Sequence, residues 1–101
     1  MGPINVFEAA NALPDAWSSR LLGQVGTASV KVLRMDEKPV EAESHGAAEM
    51  LFVLVGKLEL VVDDVAVTVG PGGVYRIPAG ARHSVRPGSW GTLVIVEVPG
   101  A

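Results

Sequence analysis

An all-β domain, closed as a double-sheet jelly roll or small barrel, is the fold this sequence predicts. Three observations predict it. Twelve glycines and seven prolines punctuate a chain of 101 residues, falling between short β-branched runs. Several of those runs alternate apolar and polar residues with the two-residue period of a half-buried strand. Beyond residue 18 no segment has room for a helix. Eight or nine short strands in so short a chain close most economically into a barrel, which limits exposed edges.

In chain order, residues 1–18 form an amino-terminal arm and residues 19–101 the barrel. Within the arm, "VFEAANA" before Pro14 gives two helical turns at most, because proline disfavours helix in the residue before it. Its apolar Ile4, Val6, Phe7 and Leu13 suit packing on the barrel or on a second subunit. Strands are expected over 21–25, 28–35, 40–45, 50–55, 58–62, 65–69, 74–77, 82–86 and 92–98. Gly56 marks a turn between the fourth and fifth. In "VVDDVAV", Asp63 and Asp64 form a two-residue hairpin turn. "GPGG" and "PGSWG" read as loops.

Hydrophobic residues are 49% of the chain and charged residues 19%, which excludes a disordered protein. The net charge of −3 and scattered Lys and Arg argue against nucleic acid or a membrane surface as partner. Without cysteine there is no disulfide and no thiolate site. The start lacks the pattern of a secretory signal, and the longest apolar run, 50–55, is too short to span a bilayer. A cytoplasmic protein is expected. The apolar content is high for a small domain and points to a homodimer interface.

Chemistry concentrates in "EAESHGAAEM". Glu43 and His45, two apart on a strand, project to one face. Glu49 follows across a small turn, and His83 heads a later strand. An isolated histidine is more often a residue satisfied by hydrogen bonds, but these are the only two in the chain. Two imidazoles with one or two carboxylates suit a divalent Fe, Mn, Ni or Zn ion.

The spacing Glu43-x-His45-x3-Glu49-x6-Gly56 resembles the first motif of the cupins, Gly-x5-His-x-His-x3-4-Glu-x6-Gly. "GGVYRIPAGARH" resembles their second motif, with Gly72, Pro78, Gly80 and His83 in register. The chain is thereby similar to small cupins of the RmlC-like superfamily. The resemblance implies a double-stranded β-helix holding a metal inside, with His45, Glu49 and His83 at three of four ligand positions. Glu43 stands where the family has its first histidine, and Pro87 where it has a terminal asparagine.

Glu43 is then a fourth ligand, an acceptor that orients a histidine, a catalytic general base, or a bystander. Trp17, Tyr75, Arg76 and Trp90 are candidates to line a pocket. Arg82, next to His83, points to the opposite face; Arg20 and Arg34 are candidate anchors for an anionic substrate. A metal so held polarises a carbonyl, or activates dioxygen if it is iron. The expectation is a metal-dependent enzyme acting on a small oxygenated metabolite as an isomerase, dioxygenase or lyase. The alternative is a metal-free cupin that binds or senses a small ligand. In that case two carboxylates in an apolar barrel repel, and at least one titrates above its usual range.

Overall fold

Asn5 starts the one helix among the described residues, which in this computed structural model are 2–101. Its side-chain oxygen accepts from the amides of Phe7 and Glu8 at 3.0 and 3.1 Å, satisfying donors that a helix start leaves open. The helix, α1 (Val6–Asn11), buries Ala9 and Ala10 in a small cluster with Val32. Arg34 Nη1 donates to the carbonyls of Ala10 and Leu13 at 3.0 and 2.9 Å. The arm packs on the barrel through Val6, Ala9 and Ala10, while Ile4 and Phe7 stay exposed. Arg34 is therefore a tether of the arm rather than an anchor for a substrate.

Eight strands follow: β1 (Ser19–Val25), β2 (Ala28–Met35), β3 (Val40–Glu43), β4 (Glu49–Val62), β5 (Val65–Val69), β6 (Val74–Ile77), β7 (His83–Val85) and β8 (Trp90–Glu97). Every pairing is antiparallel. One layer runs β1-β2-β8-β4-β6, and the other is built from β5, β4, β7 and β3. The two layers curl into the half-barrel of a jelly roll, or double-stranded β-helix. Asp63 and Asp64 join β4 to β5 with φ of 46° and 65°, the left-handed pair that a type I′ hairpin requires.

The strand β4 belongs to both layers. Its first half pairs with β8 and β6, and its second half with β5 and β7. A straight strand would stay within one layer, and its fourteen residues pair in both. The strand therefore bends, and it does so at Gly56. The turn expected there is a kink within one strand. Pairing with β8 shifts register between Val53 and Val55. The inward positions accordingly change phase, from Leu51 and Val53 before the kink to Leu58, Leu60 and Val62 after it. One extra residue on a strand does this, because the side-chain period is two.

Two glycines make the kink possible. A Cβ on Gly56 would lie 1.9 Å from the carbonyl oxygen of Trp90, and one on Gly91 equally close to that of Val55. Both have positive φ, 84° and 103°. "PGSWG" is consequently only half a loop: Trp90 and Gly91 already pair in β8.

A Gly56→Ala variant should lose roughly 3 kcal/mol or more of unfolding free energy, since a clash adds to backbone strain. Gly72→Ala should lose only about 1–2 kcal/mol, as its φ is similar but nothing lies within 4 Å of the new methyl. Urea denaturation of both distinguishes close approach from conformational preference; equal losses would refute the kink as a packing constraint.

Candidate metal centre

The kink decides where the chemistry meets. Folding β4 back brings its start, Glu49, and its end, Val62, to the same end of the barrel. Val62 pairs with His83 of β7, and His83 pairs with Glu43 of β3. His45 lies just past β3, which ends at Glu43 rather than at 45 as expected. Strand alternation therefore does not orient its side chain. Its carbonyl accepts from Gly80 N at 2.7 Å, so the loop after β3 is pinned to the turn that presents His83. Arg82 is exposed while His83 is buried, in keeping with opposite faces.

The four residues converge. One oxygen of Glu43, Oε1, lies 3.3 Å from His45 Nε2 and 3.6 Å from His83 Nε2. Glu43, His45 and His83 each offer one ligand atom within 4.8 Å of the others. Glu49 reaches this group through the imidazoles: Oε2 is 3.8 Å from His45 Nε2 and Oε1 is 3.8 Å from His83 Nε2. These separations are longer than a good hydrogen bond. Ligand atoms at ~2.1 Å around one ion stand about 3.0–3.4 Å apart, so the group is a slightly open version of a ligand shell.

Its electrostatics call for a cation. His83 Nδ1 is 3.1 Å from the carbonyl oxygen of Ala81. That oxygen can only accept, so Nδ1–H donates to it, and Nε2 is the ring nitrogen turned toward two carboxylates. Lone pair against anion is repulsive unless a proton or a metal lies between them. Glu49 and His83 are both buried, whereas the Glu43 side chain is 56% exposed at the mouth. Burial pushes the Glu49 carboxyl above its ordinary value, against the opposing pull of His83 and His45; Glu97 and Glu43 add to the rise. Burial is thus the main cause of the rise, and repulsion from Glu43, expected for two carboxylates in the barrel, is the smallest.

A cavity of about 230 Å³ opens on the group. Glu43, Glu49 and His83 line it at one end, and its walls are largely leucine, valine and isoleucine. A second cavity of the same volume, which His45 lines, lies under residues 98–101. Of the expected pocket aromatics, Trp17 does line the first cavity. Its φ of 67° is held by a backbone bond to Arg34 O at 2.8 Å and by Nε1 donating to Asp36 at 2.9 Å. Tyr75 packs on the core, Trp90 is exposed, and neither Arg20 nor Arg76 reaches the cavity. Sequence reasoning missed Lys31 and Glu97, which line both cavities and pair at 2.8 Å. A signal was present: Lys31 shares the inward face of β2 with Leu33 and Met35.

A family model described as a cupin domain matches residues 32–99. Among solved structures, a cupin-2 domain-containing protein of Shewanella frigidimarina superimposes with a TM-score of 0.81 at 20% identity, covering 94% of this chain and 93% of that one. A Neisseria meningitidis protein gives 0.80 at 17%, covering 96% and 99%. A Streptococcus pyogenes protein gives 0.67 at 26%, covering 83% and 75%. The first two, at such identities, establish the fold alone. No curated protein matches the sequence.

The raised Glu49 carboxyl sets a sign for pH dependence. Between its ordinary value of 4.5 and its raised one, the folded metal-free chain holds a proton that the unfolded chain has released. Stability from this group is therefore greatest below pH 4.5, falls as pH rises through that window, and is flat above it. The slope approaches at most ~1.4 kcal/mol per pH unit. Metal-free Glu49→Gln should lack it, so its stability relative to wild type should climb with pH. Denaturation curves that stay parallel across the window would refute the burial.

Proposed function

The chain belongs to the cupin-domain family, and on that premise we propose that it is a divalent-metal-dependent enzyme acting on a small oxygenated metabolite. The observation that carries this reading is the group of Glu43, His45 and His83, with one ligand atom each inside 4.8 Å. Glu49 completes the set, its two oxygens directed one to each imidazole.

The residues fit a divalent ion in charge as well as in type. Lys31, Glu43, Glu49 and Glu97 line the main cavity; three carboxylates and one ammonium leave two negative charges, with His83 neutral. One divalent cation neutralises them, which removes most of the penalty of burying carboxylates in an apolar barrel. Iron, manganese, nickel and zinc all accept two imidazoles with carboxylates.

In this reading Glu43 is a ligand through Oε1, the oxygen that faces both histidines, and its second oxygen is free to take a proton from a bound metabolite. The Ala81 carbonyl fixes the His83 ring so that Nε2 points at the site. When bound, the metal would supply Lewis-acid polarisation of a ligand oxygen, or dioxygen chemistry if it is iron. The apolar walls hold the body of the metabolite and exclude water from the reacting end. A homodimer is part of the proposal. Leu54, Val55 and Trp90, exposed around the kink, support it as an apolar patch.

Elemental analysis of protein purified without chelator should find about one metal per chain. At a hundredfold excess over its dissociation constant, the matching ion should raise the melting temperature by on the order of 10 °C. His83→Ala should lose both the metal and the thermal gain. Protein that carries no metal and gains nothing from Mn, Fe, Ni or Zn would replace this reading with the metal-free binding module.

A further inference from the structure

Lys31 and Glu97 occupy a costly place. Lys31 sits on the inward face of β2 and Glu97 on that of β8, in line with Leu93 and Ile95. Strand register puts Glu97 one pair beyond Val96–Met50 and hence beside Glu49. Lys31, opposite Ile95, reaches Glu97 on the diagonal, so the three charges cluster across β2, β8 and β4 in the wall of the main cavity. Both members of the pair are about three-quarters buried, with side chains 27% and 28% exposed. A pair in such a place contributes little net stability, since desolvation offsets its attraction. Stability therefore does not account for its place in a cavity wall.

Among the described residues, Lys31 is the one Lys or Arg that lines the cavity. Its charge is committed to Glu97 at 2.8 Å. With the pair closed and a divalent ion on the carboxylate–imidazole group, the cavity carries no net charge, and that ion is the one cation an entering group meets. A phosphate or carboxylate bound to that ion would leave a net negative charge among apolar walls, a cost that an uncharged metabolite avoids.

Resting on the metal-dependent reading above, we infer that the Lys31–Glu97 pair sets the charge specificity of the cavity. The metabolite it selects is uncharged: a hydroxyl or carbonyl head on the metal and the pair, with a short apolar body against the walls. Lys31 retains donors for that head and Glu97 an acceptor. The cavity holds about eight waters at ~30 Å³ each, which bounds the metabolite to a small molecule.

The test uses two probes of one shape, 2-hydroxyisovaleramide and its anionic counterpart 2-hydroxyisovalerate. Calorimetry with manganese-loaded protein measures both against wild type, Glu97→Gln and Lys31→Met. Wild type should bind the amide at least as tightly as the acid. Glu97→Gln, which is isosteric and frees the ammonium, should tighten the acid about tenfold, the effect of one unit charge close by in a partly hydrated site. Lys31→Met should weaken the acid by a similar factor, while the amide loses in each variant only the hydrogen bond that the substitution removes. Since a merely structural change would move both probes together, the acid-to-amide ratio is the readout.

A ratio that is the same in all three proteins overturns the inference, as does wild type that prefers the acid or binds neither probe. Manganese content of the same samples separates the failures. Loaded protein with a flat ratio overturns the charge rule alone, whereas protein that takes up no manganese overturns the metal reading and this inference with it.

Discussion

The close approach of Gly56 to Gly91 is the constraint on which the rest of this structure depends. Two backbones meet there with no room for a methyl on either. Because they meet, β4 serves both layers, and a strand of fourteen residues folds back on itself. Leu51 and Leu60, nine residues apart, then share one core cluster. The same bend returns Glu49 to the end of the barrel where His83 emerges. Site and core are thus consequences of one packing event.

Two opposed demands meet at that end. Leucine and valine walls make the barrel stable by excluding water, and excluding water makes a carboxylate there expensive. The chain places Glu49 in the dry region and leaves Glu43 at the wet mouth. It then turns His83 Nε2 toward both of them by fixing Nδ1 on Ala81 O. The backbone of β3, β4 and β7 holds the arrangement, and a proton or a metal ion between the side chains would relax it.

How much of this was legible in the sequence follows from what each signal encodes. Which side chains meet was legible through the resemblance to the two cupin motifs, which implies that His83 joins His45 and Glu49. The alternating pattern located seven of the strands to within a few residues, and the Asp63–Asp64 hairpin outright. Alternation describes one flat strand at a time, however. It cannot distinguish a glycine that ends a strand from one that bends it, and so Gly56 read as a turn. For the same reason it extended β3 to His45, whose orientation comes from a hydrogen bond to Gly80 across the loop. Lys31 was passed over because the inward face of β2 becomes polar only where the barrel opens, and that opening is set by curvature.

The glutamate at position 43 is best understood as a change of charge. A histidine there would leave the cavity with one uncompensated negative charge, from Glu49, once Lys31 and Glu97 are paired. Glu43 makes it two, matching a divalent ion. Its exposure keeps the cost of that second charge low, since the carboxylate remains half in water when no cation is present. The buried position of Glu49 could not accept the same exchange so cheaply, because a charge added there would be desolvated outright. Glu43 is the most exposed side chain of the group, at 56% against 33% for His45, so position 43 changes charge at the least cost, and on the proposed reading its charge brings the main cavity to neutrality with a single divalent ion.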